Sequence, residues 1–362
     1  MHEIAQQFQQ RIRTATADLT PLRFRGGGTK NWYGQSLAGE ILDTRAYTGV
    51  ISYEPTELVI TARCGTPLAE VESLLAEQRQ MLAFEPPRFG AGSTIGGVVA
   101  SALSGPRRAS AGAARDFVLG AVMMDGQGEA LRFGGQVMKN VAGYDVSRLL
   151  AGSLGTLGLI LEVSLKVLPM PVREATLRFA VDELTALRRL NEWGGQPLPI
   201  SASCWYRGVL TVRLSGADAA VVAALRQLGG EQVDDVEAAA FWASLRDQTH
   251  EHFSGGTLWR LLVPPAASAL ILKGEQMIEW GGAQRWLRLG GEGGVVVDAA
   301  QADLAAGIRR TTAAADGHAT LYRGGDKSVG VFHPLQPALA KVHERLKASF
   351  DPAGIFNPGR MY

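Results

Sequence analysis

The chain has 362 residues, 46% of them hydrophobic, and its 36 Lys and Arg almost balance 35 Asp and Glu for a net charge of +1. This length suggests two domains with ample apolar material for a core, and the even charge excludes a chain-wide basic footprint for nucleic acid. No run of about 18 apolar residues occurs, Met1–Thr20 lacks the apolar core of a signal peptide, and the two cysteines, Cys64 and Cys204, match no metal spacing; a reducing, cytoplasmic setting is expected.

In chain order, Ile4–Ala17 reads as a short helix and Leu22–Phe24 as a brief strand. The strand leads into Arg25-Gly26-Gly27-Gly28-Thr29-Lys30, three glycines between two cations. Such a loop can wrap a pyrophosphate with backbone N–H groups, and a flexible connector is an equal reading of the loop alone. Strands follow at Glu40–Thr44, Gly49–Tyr53 and Leu58–Ala62. Thr66-Pro67 opens a helix running to about Gln80, with Thr66 as the cap, Pro67 at the first helical position, and Leu68, Val71, Leu74 and Leu75 on one face.

From Glu85 to Leu161 glycines, small hydroxyl residues and apolar residues alternate, most densely in Gly90-Ala91-Gly92-Ser93-Thr94-Ile95-Gly96-Gly97 and Gly152-Ser153-Leu154-Gly155-Thr156-Leu157-Gly158. Glycine permits close backbone approach at an entropic cost that plain scaffold has no use for, so this stretch reads as the seat of a large anionic cofactor. A Rossmann site is rejected. Gly90-x-Gly92-x-x-x-Gly96 has the wrong final spacing, and Pro86-Pro87 stands where a buried strand belongs. Phe117–Asp125 and Glu129–Phe133 flank Gly126-Gln127-Gly128 and should form a hairpin. Gly134–Asp145 shows no clean period, Val146–Ala151 reads as a helical turn or two, and Gly158–Leu168 is a strong strand ended by Pro169 and Pro171.

Beyond Arg173 a β-α-β-β-α layout occurs twice. The first copy runs Ala175–Ala180, Asp182–Trp193, Ile200–Tyr206, Val209–Leu214 and Ala217–Leu228. After a helix at Val236–Arg246 the second runs Thr257–Val263, Ala266–Lys273, Gln284–Leu289, Val295–Val297 and Gln301–Ala315. Two such copies imply an antiparallel sheet backed by helices. A strand at Ala319–Tyr322 and a helix at Pro337–Ser349 precede the terminal Phe350-Asp351-Pro352-Ala353-Gly354-Ile355-Phe356-Asn357-Pro358-Gly359-Arg360.

The loop at Arg25–Thr29, the Ser93–Gly97 segment, the Gly155–Gly158 segment and the terminal run occur together in this order. That combination resembles the PCMH-type FAD-binding domain of the vanillyl-alcohol oxidase superfamily, over Leu22 to about Pro169 plus the tail. Longer runs, Phe84–Gly90, Ser104–Arg108, Gly134–Asp145 and Lys166–Pro169, extend the resemblance over nearly the whole chain to the family of FAD-binding E subunits of bacterial glycolate oxidase. The resemblance implies an α+β fold: a two-subdomain FAD-binding domain at 1–170, split near Pro55, an antiparallel-sheet cap at 171–318, and a tail at 319–362 returning to the FAD domain. Carried over, Arg25, Gly26, Gly27, Gly28 and Thr29 hold the pyrophosphate. Pro87, Gly92, Ser93, Thr94, Gly96 and Gly97 line the ribityl and flavin region, and Gly105, Gly112, Arg115 and Asp116 continue that wall. Gly158 and Ile160 serve the adenine end, and Asn357 and Arg360 come in from the tail.

The implied activity is oxidation of glycolate to glyoxylate at a flavin, with electrons passed through an iron–sulfur subunit to a membrane quinone. Two departures shape it. Members that bind flavin covalently place a histidine where this chain has Thr29, so FAD is expected to be non-covalent. The His-x-Gly-Asp-Gly-Asn-x-His metal cluster of hydroxy-acid dehydrogenases in this superfamily has no counterpart, Gly325-Asp326 and His333 being the nearest residues, so the main chemistry is expected on a larger flavoprotein partner. A self-sufficient 2-hydroxy-acid dehydrogenase acting on glycolate or D-lactate, and a non-enzymatic assembly subunit with a vestigial flavin site, are the alternatives. No catalytic residue or metal ligand is assigned. His250 and His252 read as structural or solvent groups, His318 and His333 likewise unless the tail brings them near the flavin, Arg323 as a carboxylate contact or a turn-flanking charge, and Arg107 and Arg108 as a solvated face or a contact to a partner subunit. Trp205, Trp259, Trp280 and Trp286 read as core or subunit contact.

Overall fold

A computed structural model describes residues 2–135, 145–290 and 298–361. Most of the Gly134–Asp145 run and the expected strand Val295–Val297 lie outside the described residues. The chain divides into two compact units: Met1–Ser104, Gly112–Met170 and Pro334–Tyr362 form the first, Gly105–Ala111 and Pro171–His333 the second.

The first unit carries β1 (Leu22–Arg25), β2 (Glu40–Asp43), β3 (Val50–Glu54), β4 (Val59–Arg63), β5 (Gln80–Met81), β6 (Val118–Met124), β7 (Ala130–Gly134), β8 (Leu159–Lys166) and β9 (Leu168–Pro169). β1 and β2 pair in parallel with Arg25 opposite Asp43. An antiparallel sheet runs β3-β4-β8-β6-β7, and β5 pairs with β9. β8 sits at its centre and is buried on both faces, as its run of Leu, Ile and Val demands. The β6–β7 hairpin forms because Asp125 Oδ1 accepts from the N–H groups of Gln127 and Glu129, both at 2.9 Å, folding the Gly126-Gln127-Gly128 turn on itself.

The helix His2–Ala17 packs through Phe8, Ile12 and Ala15, one face of a 3.6-residue period. The second helix departs from expectation at its start. It spans Leu68–Glu77, Pro67 is the capping residue, and the Thr66 hydroxyl accepts from Gly49 N at 2.9 Å instead of capping. A tertiary donor has taken the oxygen that the local pattern assigned to the helix. The tail closes the unit. Leu22 N donates to Ile355 O and Asn357 N to Leu22 O, both at 2.8 Å, which lays Phe356 alongside β1.

The second unit is built on one antiparallel sheet of eight strands: β10 (Arg173–Ala180), β11 (Ile200–Tyr206), β12 (Val209–Gly216), β13 (Glu231–Val233), β14 (Thr257–Leu262), β15 (Glu275–Glu279), β16 (Gln284–Leu289) and β17 (His318–Arg323). The order β13-β10-β12-β11-β15-β16-β14-β17 reads the same arrangement from each edge towards the β11/β15 seam. The sheet is therefore two four-stranded halves of one topology, and the second is completed by Glu275–Glu279, a strand not among those expected from the sequence. Each half has its own apolar cluster, one around Leu177, Leu210, Val212 and Leu214, the other around Trp259, Leu261, Leu287 and Leu321.

The halves differ in the connection that follows their first strand. Between β10 and β11 the helix Glu183–Gly194 starts on Asp182, whose carboxylate accepts from Thr185 N at 2.7 Å. Between β14 and β15 the expected helix Ala266–Lys273 is absent. Pro264-Pro265 opens that segment, and its carbonyls are taken by side chains: Ala267 O and Ser268 O by the buried Arg285 at 2.9 and 3.4 Å, Leu270 O by Gln276 at 3.1 Å. These contacts tie the segment in a non-helical course to Gln276 of β15 and Arg285 of β16.

Gly105–Ala111 belongs to this second unit through its contacts. Trp280 Nε1 donates to Gly105 O at 3.1 Å, Ser110 Oγ to Ser201 O at 3.0 Å, and Arg107 pairs with Glu174 at 2.6 Å. Arg107 is buried, and Arg108 lies over the Trp280 ring at 4.4 Å, so these two arginines are not the solvated face expected.

Candidate functional site

The first unit holds a groove made where its glycine segments meet. At the end of β1, Arg25 pairs with Asp43 at 2.7 Å. Asp43 also takes Arg45 at 2.7 Å, and Arg45 followed by Arg25 holds its carboxyl far below the usual carboxylate range. Gly26–Thr29 then passes directly against Gly92. A Cβ on Gly27 would run into the Gly92 carbonyl, so backbone meets backbone there and glycine is obligatory. One turn further on, Gly96 opens the helix Ile95–Ser101, whose cap is Thr94; its hydroxyl accepts from Gly97 N at 3.4 Å. A Cβ on Gly96 would stand 2.6 Å from Cys64 Cβ.

Two adjoining clefts of about 570 Å³ and about 420 Å³ share Phe24, Gly26, Gly97, Ala100, Leu154 and Asn357. The first extends along Arg25–Asn31 to Arg360, and the second extends past Cys64 and Gly96 to Gly158, Leu159 and Ile160. Residues far apart in sequence are thus gathered on one groove: Arg25, Gly26, Gly27, Gly28, Thr29, Thr94, Gly96, Gly97, Gly158, Ile160, Asn357 and Arg360. Gly92 supports it from behind Gly27, and Ser93 accepts a hydrogen bond from Lys30.

The two tail residues work on the groove's walls. Asn357, at φ +40°, accepts from Phe24 N at 3.0 Å and donates to Leu154 O at 2.6 Å, tying β1 to the Gly152–Gly158 segment. Arg360 donates to Asn31 O at 2.8 Å and also to Tyr33 O and Gln35 O, so its guanidinium clamps the loop after the glycines. Burial lowers its pKa to about 10.

Pro87, Gly105, Gly112, Arg115 and Asp116 lie outside the groove. Gly105 is drawn into the second unit by Trp280. Asp116 accepts from Ala113 N at 2.9 Å and closes a turn with Gly112, while Arg115 is exposed beside it. Among the groove residues, Lys30 shows in the sequence only as the second cation of the loop. Phe24, Leu154 and Cys64 carried no local signal, since they are ordinary core residues until the fold turns them towards the groove.

The remaining expectations concern the second unit. Arg323 donates to Gln248 Oε1 at 2.6 Å, and His333 Nδ1 accepts from Ala319 N at 3.3 Å. Trp259, Trp280 and Trp286 are buried. A pocket of about 620 Å³ in this unit is walled by Trp259, Leu304 and Leu321, and its Asp326 carboxylate is turned to Ser328 N at 2.9 Å. Among the described residues no group of three or more His, Cys, Asp and Glu is placed to hold a metal ion, and no helix is long and apolar enough to cross a membrane.

Comparison with known proteins sets this groove in context. Residues 3–134 match the model of an FAD binding domain. The chain is 45% identical to glycolate oxidase subunit GlcE of Escherichia coli (strain K12) over 361 residues, 99% of this chain and 98% of that one. The chain belongs to the GlcE family.

Against glycolate oxidase subunit GlcD of Bacillus subtilis (strain 168), identity is 31% over 169 residues, 46% of this chain and 36% of GlcD. A solved structure of alkyldihydroxyacetonephosphate synthase superposes with a TM-score of 0.65 at 14% identity, covering 97% of this chain and 73% of that one, which supports the α+β fold alone. In this GlcE-family chain the groove suits an extended dinucleotide. It is long, glycine brings backbone to its surface, and one end carries the Lys30 ammonium while the other is apolar.

Proposed function

We propose that this chain is the FAD-binding flavoprotein subunit of a heteromeric glycolate oxidase that converts glycolate to glyoxylate. The supporting observation is the junction of the Gly26–Thr29 loop with Gly92, beside a glycine-lined groove inside a chain of the GlcE family. Bound FAD supplies the electron acceptor. The chain's own residues bind and orient it: the glycine loop and Lys30 meet the diphosphate, Gly96, Gly97 and Leu154 flank its length, and Gly158 and Ile160 close the adenine end. In this reading the cofactor lies between the part of residues 1–170 before about Pro55 and the part after it, residues 171–318 form the cap, and the tail holds the groove in shape through Asn357 and Arg360.

FAD is held without a covalent bond. Thr29 stands at the attachment position, no histidine lines the groove among the described residues, and burial pushes the thiol of groove-lining Cys64 up to about 12, which keeps it a poor nucleophile. Acid precipitation should therefore release all of the flavin into the supernatant, and yellow pellets would refute this.

The larger flavoprotein subunit and an iron–sulfur subunit complete the oxidase, which works at the cytoplasmic face of a membrane through those partners. Visible spectra of the purified chain, taken anaerobically, test the assignment. Oxidised-flavin bands that survive glycolate but bleach with dithionite are expected. Bleaching by glycolate alone would make the isolated chain a dehydrogenase, and no flavin after soaking in FAD would leave it an assembly subunit.

A further inference from the structure

Arg25 and Lys30 bracket the glycine loop, but their surroundings differ. Arg25 is matched by Asp43 at 2.7 Å. Among the described residues the hydrogen-bond partners of Lys30 Nζ are hydroxyls, Ser93 Oγ at 2.8 Å and Thr29 Oγ1 at 3.5 Å. Its remaining surroundings are aromatic: the Phe89 ring lies 5.7 Å away and is itself packed edge-on against Trp32 at 5.2 Å. No carboxylate among the described residues forms an ion pair with Lys30, and Arg360, the third cation lining the cleft, is occupied by the Asn31, Tyr33 and Gln35 carbonyls.

Hydroxyl groups position an ammonium without neutralising it, so a charge left in this apolar corner is costly until an anion arrives. Burial accordingly lowers the Lys30 pKa to about 8. The amine lines the cleft at the place where the Gly26–Thr29 loop presents its backbone.

We propose that Lys30 is the charge partner of the dinucleotide's diphosphate, and that loading the groove draws a proton onto this amine in the part of the population where it is neutral. The proposal rests on the FAD reading above and adds to it a pH-linked step in cofactor loading. The balance is simple: the empty groove holds a mixture of ammonium and amine, the loaded groove holds ammonium, and the proton comes from solvent. Affinity should hold below about pH 8 and fall above it, approaching tenfold per pH unit, until the loaded amine itself deprotonates.

The test is FAD titration of the stripped full-length chain, followed by flavin fluorescence between pH 6.5 and 10. K30M should weaken FAD about 10- to 100-fold at pH 7, the usual loss of a charge-assisted contact, and should flatten the decline above pH 8. K30R should stay within a few-fold of wild type at pH 7 and also be flat, because a guanidinium does not titrate in this range. S93A, which keeps the charge but removes its hydroxyl partner, should cost much less than K30M. Wild-type affinity independent of pH up to 10, a K30M chain that binds like wild type, or S93A and K30R losses equal to that of K30M would overturn the proposal while leaving FAD binding intact. A wild-type chain that binds no FAD at any pH would overturn both.

Discussion

The two units solve opposite problems with their polar atoms. In the first, the backbone has to be left available beside a groove, so glycine brings it to the surface at Gly27 and Gly96 while Asn357 and Arg360 brace the loops from behind. In the second, the backbone has to be consumed, and buried side chains do it: Arg285, fully enclosed, takes three carbonyls, and Trp280 takes a fourth. A site built from removed side chains tolerates no additions. A core built from buried donors tolerates no removals.

Gly27→Val tests the first half of that contrast and should have the largest effect. Its Cβ has no space beside the Gly92 carbonyl, so the two glycine segments must separate, and FAD binding should drop by at least 100-fold in a flavin titration. The second unit should be untouched: in a Trp32→Phe background, where every remaining tryptophan belongs to that unit, the emission maximum should not move. Retained FAD affinity would mean the loop is not the floor of the cofactor site.

Arg285→Met tests the other half. It leaves the buried Gly282 O without its donor and frees Ala267 O and Ser268 O on a more open segment, and about 3 kcal/mol of stability should be lost in urea unfolding. Flavin affinity of the folded fraction should not change. Asn357→Ala sits between the two cases, since it is a bracing residue of the groove. It strands Phe24 N–H and Leu154 O for about 2–3 kcal/mol and should also loosen FAD, because both groups sit on groove walls.

What the sequence made legible follows the same division. The glycine run could be read because a demand for backbone approach leaves a compositional trace, and the doubled strand layout could be read because alternation does too. Thr66 departs from its expected capping role because a hydroxyl beside Pro67 looks the same whether it caps a helix or receives Gly49 N from the loop before β3. Ala266–Lys273 misled for a related reason. Its Ala and Leu content favours helix, and nothing local reveals that Arg285, more than ten residues ahead, will hold its carbonyls. Gly105 and Asp116 share the texture of the glycine-rich stretch but are engaged elsewhere, one by Trp280 and the other by its own turn. Lys30 could not be ranked above Arg25 until the Asp43 pairing was visible.

The smallest effect, and the one most specific to the second unit, concerns His252. The imidazole is fully buried, neither ring nitrogen has a hydrogen-bond partner among the described residues, and its Nδ1 lies 3.6 Å from Glu275 Oε2. That carboxylate is already engaged by Arg288, by Arg207 at 2.6 Å and by the Tyr206 hydroxyl at 2.9 Å, so it offers little to a second cation. Burial lowers the His252 pKa to about 4, against the attraction of Glu275 and with help from Arg288 and His250. A base whose folded pKa is depressed contributes full stability while both states are neutral, above about pH 6.5. As pH falls from there towards 4, the unfolded chain takes up a proton that the folded chain refuses, and about 2 kcal/mol should be lost between pH 7 and pH 5. His252→Phe keeps an aromatic ring beside Tyr206 and Phe253 and removes the titration, so its unfolding free energy should change far less over that interval. Equal acid sensitivity in the two proteins would show that His252 accepts its proton in the folded state, and that the Glu275 cluster is an open charge network and not a sealed one.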